Sequence, residues 1–334
     1  MAESMQFQTT HQAMGTVMAH KAFGRDAEEC LRSVCMEIDN LESLLSRFIP
    51  ESEVSRINDS SGLLIESLSQ STMEILIKAV EFSDLCQGVF DITVGPLVDL
   101  WGQSKLTGVP PNSESIERVL PLINYQELIL DPYQQTGGLN LPGQAIDLGG
   151  IGKGFAGDKV AALYRAFGIT SAYSNIGGNV VAIGAKPDGS GWRVGVQHPR
   201  QPKQVIGVIA VSDAAVVTSG DYQRAYLASP DWKYHHILDL RIGYPAESEL
   251  ISVTIVSPQA VVADVLSTAV FIAGMERGLE ILNYFCGSEA VLINRDLEVF
   301  VTAGLKSCFQ PQENITISVI NSNKENKNET EKEK

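Results

Sequence analysis

Between Ala27 and Phe48 the apolar positions fall at Leu31, Val34, Cys35, Ile38, Leu41, Leu44 and Leu45. That spacing returns one face every turn, so the segment is predicted to lay an amphipathic helix on a core. A second helix is predicted over Ser69–Gln87, through Met73, Leu76, Ile77, Val80, Phe82 and Leu85, with Gly88 in the place of a terminating glycine. Shorter helical patterns cover Lys159–Phe167, Val262–Ala273 and Glu276–Phe285. Between them run β-type segments at Leu128–Leu130, Ala145–Leu148, Ser171–Ile176, Val180–Ile183, Trp192–Val196 and Gly207–Val211. Further ones follow at Ala215–Thr218, His235–Leu238 and Ser252–Val256, and Ala290–Ile293 with Val299–Thr302 reads as a hairpin turning at Asn294-Arg295-Asp296. Short turns such as Lys186-Pro187-Asp188-Gly189 favour antiparallel pairing over βαβ alternation. The expected class is therefore α+β: an extensive mixed, largely antiparallel sheet covered by helices.

The length of 334 residues suits one large domain or two intertwined lobes, placed at 11–310. Residues 1–10 are expected to be flexible. The polar stretch 321–334 has no apolar residue and is expected to be disordered. Hydrophobic content of 44% and charged content of 19% exclude global disorder. Asp plus Glu number 40 against 25 Lys plus Arg, a formal charge of −15. Such an acidic chain lacks the basic surface that a nucleic-acid backbone requires. It also demands a local cation or a metal wherever a polyphosphate binds.

No apolar run approaches the roughly 18 residues of a spanning helix, and the first residues show no secretory signal. The five cysteines form no CxxC and no zinc spacing. Free thiols in a reducing compartment are expected, so the chain is placed in the cytoplasm.

The densest signal is Asp147-Leu148-Gly149-Gly150-Ile151-Gly152-Lys153-Gly154-Phe155-Ala156-Gly157. Its last six residues match GxGxxG, the dinucleotide fingerprint. Against a nicotinamide-linked oxidoreductase stand the mid-chain position and the absence of an acid at Ser174–Gly178 for a ribose hydroxyl. Gly154 stands where a phosphate-binding Walker loop has Ser or Thr after its lysine. Glycines that admit a ligand close to main chain, and a helix start that favours phosphate, are what remains of the motif. The bland alternative is a tight turn beside a surface lysine.

Asp264 and Thr268 stand one helical turn apart, a carboxylate and a hydroxyl suited as hard oxygen ligands to Mg²⁺. Taken alone, the acid reads as a helix cap. Tyr234-His235-His236-Ile237-Leu238-Asp239 offers two histidines, more often hydrogen-bonded than catalytic in such a segment.

Together these pieces resemble the ApbE-type FAD:protein FMN transferases from about Met14 to Thr302. The resemblance is carried in order by Met14-Gly15-Thr16, Leu44–Asn58, Val89–Val98, Leu100-Trp101-Gly102 and the glycine loop. Ile176-Gly177-Gly178-Asn179, Thr218–Tyr222, His236–Gly243 and Ala263–Thr268 complete it. It implies transfer of FMN from FAD to a Thr or Ser hydroxyl of an acceptor flavoprotein, with release of AMP. Met14, Phe48, Val89, Phe90, Asp91, Asp147, Lys153 and Leu238 would then line the FAD site. Asp264, Thr268 and the Gly150 carbonyl would hold Mg²⁺, or Mn²⁺ in its place, and His236 would serve catalysis. The family's pattern has Pro where Leu240 stands and Thr where Ile242 stands, which loosens the turn beside His236. An FAD-storage protein and an FAD pyrophosphatase are the rival readings.

Overall fold

Every residue of the strand Asn179–Ile183 is buried, because apolar cores lie on both of its faces. Val181 and Ile183 point into the larger core, Val180 and Ala182 into a second one, as the two-residue period of a strand requires. The structure, a computed structural model, describes residues 5–222, 226–229 and 232–321.

Among the described residues, nine strands form the main sheet. It begins with β1 (Gln6–Ala13) and β2 (Thr16–Phe23), followed in space by Ala172–Ile176, Asn179–Ile183, Ala214–Gly220, Leu250–Ser257, Glu289–Asn294, Val299–Thr302 and Ile317–Ile320. All neighbours are antiparallel except the last pair. The mixed, largely antiparallel α+β expectation matches this sheet. Seven α-helices are present among the described residues: α1 (Ala27–Leu45), α2 (Glu53–Asp59), α3 (Gln70–Leu85), α4 (Gly95–Thr107), α5 (Ser113–Val119), α6 (Gly152–Ala166) and α7 (Ala260–Leu282).

Helices α1, α3, α6 and α7 bury their apolar residues in the larger core on one face of the sheet. Leu31, Val34, Ile38, Leu41 and Leu45 of α1 are buried, each contributing roughly 1.5–3 kcal/mol. On the other face a three-stranded sheet of Trp192–Gln197, Val205–Val211 and Phe309–Pro311 closes the second core.

Several expectations need correction. Residues 6–10, assigned to a flexible end, pair along β2 from Gln6 to Ala13. The expected tail lies outside the described residues beyond Asn321. Ala145–Leu148 makes only a single bridge, Ala145 to Val94, and of the expected strand His235–Leu238 only Leu238 lies in one, paired with Pro245. The third helix starts seven residues before Lys159, at Gly152, so the glycine motif is largely helix. By contrast, the two expected C-terminal helices meet at Gly274, whose φ of 79° breaks α7.

Candidate active site

Helices α6 and α7 cap each other. No side chain of its own caps α6, and Asp264 of α7 takes over, its Oδ2 accepting the Gly154 N–H at 2.8 Å. In return Asp158 of α6 accepts the first amides of α7, from Ala260 at 2.7 Å and Val261 at 3.1 Å. The first turn of a helix leaves amides without partners, and here each helix supplies the acid for the other. Burial raises the Asp158 carboxyl above its usual range, in part offset by these two amides.

The glycines make this crossing possible. A Cβ on Gly154 would stand 2.5 Å from the Ala260 carbonyl oxygen and 2.6 Å from Asp264 Cβ. One on Gly157 would stand 2.8 Å from Ala260 Cβ and 2.9 Å from Val181 Cγ2. Two glycines of the GxGxxG match thus serve helix packing, which accounts for the motif without a nicotinamide dinucleotide. Read by itself as a cap, Asp264 does cap a helix, though not its own.

In front of this crossing lies a cleft of about 370 Å³, within the usual range of ligand sites. Its lining gathers Phe48, Val89, Phe90, Asp91, Asp147, Gly150, Lys153, His236, Leu238, Asp264 and Thr268. Met14 does not line it. It sits in the β1–β2 turn with φ 49° and packs on the larger core, while its neighbour Thr16 abuts Gly177 of the cleft wall.

Lys153 Nζ is 3.5 Å from Asp264 Oδ1. Thr268 Oγ1 lies 3.4 Å from Ser219 Oγ. A Cβ on Gly150 would reach within 3.9 Å of Thr268 Oγ1 and 3.1 Å of Phe90 Cε2, so loop and helix are in near contact. Carboxylate, hydroxyl and adjacent glycyl main chain form an all-oxygen donor set, which fits Mg²⁺. The charge of the lining points the same way. Among the described lining residues Lys153 is the one lysine or arginine, set against Asp91, Asp147 and Asp264, so an anionic ligand there meets more negative than positive charge.

The acids are not equivalent. Asp91 is 6% exposed. Its Oδ1 accepts Thr93 N–H and Oγ–H, both at 2.7 Å, and Oδ2 accepts Tyr125 N–H at 2.9 Å. Burial raises its carboxyl above the usual range against the pull of those donors. Asp91 therefore fixes the loop that presents Val89 and Phe90. Asp147 accepts Gly149 N–H at 2.8 Å and Arg47 Nη1 at 3.0 Å, and Arg47 Nη2 reaches Asp99 at 2.6 Å. Phe48 is 84% exposed at the cleft, with the Arg47 guanidinium 6.0 Å from its ring centroid.

The two adjacent histidines diverge. His235 is held in the wall, its Nε2 3.1 Å from the Ala246 carbonyl and its ring edge-on to Phe271, whereas His236 is exposed in the lining. The turn after it is braced despite Leu240 and Ile242. Asp239 takes the Arg241 N–H at 3.0 Å, Nε at 2.9 Å and Nη2 at 2.6 Å, and Trp101 Nε1 donates to the Gly243 carbonyl at 2.8 Å. Those contacts supply rigidity that proline would otherwise give.

One residue went unassigned in the sequence. Asn179 is 3% exposed and lines the cleft, and its Nδ2 is buried with no hydrogen-bond partner. A buried donor left unpaired costs about 1–3 kcal/mol, so its place in a ligand cleft is a placement for an acceptor. Ile176-Gly177-Gly178-Asn179 marked the segment, but no sequence pattern shows which side chain lacks a partner.

The architecture is that of solved ApbE flavin transferases. An ApbE protein from Thermotoga maritima superposes with a TM-score of 0.82 at 29% identity, covering 91% of this chain and 99% of that one. The flavin transferase ApbE from Vibrio cholerae gives 0.80 at 25% identity over the same shares. The ApbE family's sequence profile matches residues 14–292. An FAD:protein FMN transferase from Klebsiella pneumoniae is 31% identical over 299 residues, 89% of this chain and 92% of the relative. One from Treponema pallidum is 30% identical over 84% of this chain and 81% of the relative. The chain belongs to the ApbE family.

Proposed function

We propose that this chain moves FMN from FAD to a threonine or serine hydroxyl of an acceptor protein and releases AMP. The observation that carries the reading is the meeting of Asp264, Thr268, Gly150 and Lys153 at one cleft wall, in a chain whose relatives are named FAD:protein FMN transferase.

Asp264, Thr268 and the Gly150 carbonyl would hold Mg²⁺, which when bound would supply charge neutralisation at the diphosphate and polarise its phosphorus. Lys153 adds a second positive charge from the start of α6, where helix amides also favour phosphate. Asn179 Nδ2 donates to an oxygen of the ligand. Val89, Phe90 and Leu238 form the apolar wall, and Phe48 offers an aromatic face at the surface. In the transfer, the acceptor oxygen bonds to the FMN phosphorus and the phosphorus–oxygen bond to the AMP half breaks. His236 takes the hydroxyl proton, an acid–base role open to an imidazole that faces the cleft. No helix among the described residues is long and apolar enough to cross a membrane.

The test is incubation of the protein with FAD, Mg²⁺ and a threonine-containing acceptor peptide. Covalently fluorescent peptide is the expected product. Free FMN would instead mean hydrolysis, and intact bound FAD would mean storage.

A further inference from the structure

His11, His20 and Cys35 take no part in the cleft. They meet where the β1–β2 hairpin lies against α1, with their ligand-type atoms all within 4.8 Å of one another. The register explains the meeting: His11 pairs with Met18, so His20, two residues on, shares its face of the hairpin. Cys35 and Asp39 stand one turn apart on the facing side of α1.

His20 is 1% exposed. Its Nδ1 lies 2.9 Å from Ser174 Oγ, which is 2.9 Å from the Tyr164 hydroxyl, while its Nε2 is buried without a partner. His11 repeats the arrangement: Nε2 is 2.9 Å from Asp39 Oδ1, and Nδ1 is buried without a partner. With the outer nitrogens donating to Ser174 and Asp39, both inner nitrogens carry lone pairs. Two orphaned acceptors beside one thiol are a costly arrangement unless something binds there.

We propose that His11 Nδ1, His20 Nε2 and Cys35 Sγ bind a divalent d-block ion of the zinc type, with water as fourth ligand. Imidazole and thiolate suit such an ion and reject Mg²⁺. Each imidazole already has the outer hydrogen bond that fixes its tautomer in metal centres. Bonds of roughly 2.0–2.3 Å bring ligand atoms to about 3.5 Å apart, so the trio closes by about an ångström. His20, lowered to about 4 by burial and then by the charge of His11, is neutral and ready to ligate at neutral pH. The Cys35 thiol, raised by burial and then by Asp39, gives up its proton to solvent when the ion binds. The bound ion ties α1 to the hairpin whose turn, at Thr16, abuts Gly177 of the cleft wall.

The test titrates Co²⁺ into the metal-stripped full chain with Mg²⁺ saturating. A single equivalent is expected to give a thiolate-to-cobalt charge-transfer band that Zn²⁺ abolishes by displacement. Cys35→Ser should remove the band, and Asp264→Ala should keep it. Asp39→Asn should weaken binding by roughly 10–100-fold. His11→Gln, on the edge strand, gives the same reading if Cys35→Ser does not fold. Absence of the band in the natural chain, or its persistence in both ligand variants, overturns the site.

Discussion

Asp158 and Asp264 are exchanged between two helices: each sits on one and accepts main-chain amides at the start of the other. The exchange ties α6 to α7, and in its second half Asp264 is held by its own bond to the Gly154 amide, 3.5 Å from Lys153. Only one of the two acids lines the cleft. Stability and chemistry therefore separate between them.

Asp158→Ala is expected to lower the unfolding free energy by roughly 1–2 kcal/mol, the usual worth of a helix cap. Urea denaturation measures it. Transfer activity below the unfolding transition should stay near that of the natural chain, since Asp158 lies outside the cleft.

Gly154→Ala should cost about 1–3 kcal/mol, because the added methyl meets the Ala260 carbonyl and Asp264 Cβ at once. Unlike Asp158→Ala, it should also depress transfer, since relief requires moving Asp264. Stability measured beside kcat shows whether both fall together.

Asn179→Ala removes the unpaired cleft donor. A hydrogen bond to a charged group contributes roughly 1.5–3 kcal/mol, so the FAD dissociation constant should rise about tenfold or more. Thermal stability of the ligand-free chain should not fall, because Nδ2 gives up no protein partner and its unpaired burial is relieved.

How much of this was legible beforehand differs by element. The α1 stripe and the break at Gly274 were readable, because apolar period and glycine punctuation act locally. The β1 strand was not: its residues alternate only between exposed and intermediate until Ala13, so an edge strand resembled a loose end. Helix α4 was hidden because Gly95-Pro96 reads as a turn and only Gly95, Leu97, Trp101 and Ser104 are buried. For the site, residue types and spacing suggested a metal and a phosphate, and resemblance to a family joined them. Nothing local could show that Asp264 reaches Gly154 across 110 positions, or that Asp91 spends its carboxylate on Thr93 and Tyr125.

The Asp91 carboxyl supplies a pH dependence with a definite sign. Burial raises it above 3.8 in the folded chain, so the folded state holds this proton to higher pH than the unfolded state. Its contribution is full below 3.8 and is lost as pH rises through the raised value. Asp91→Asn is less stable throughout but cannot titrate there. The stability gap between natural chain and variant, from urea unfolding across this interval, should narrow as pH rises; a widening gap would contradict the assignment.

The most direct measurement counts AMP released against flavin bound to a threonine acceptor, with and without Mg²⁺, for the natural chain and Asp264→Asn. The asparagine keeps an oxygen for the Gly154 amide but lacks the charge for a metal. Equal amounts of AMP and flavin–acceptor are expected, dependent on Mg²⁺ and reduced about 10²-fold or more by the substitution. Undiminished, metal-independent transfer by Asp264→Asn would contradict the account.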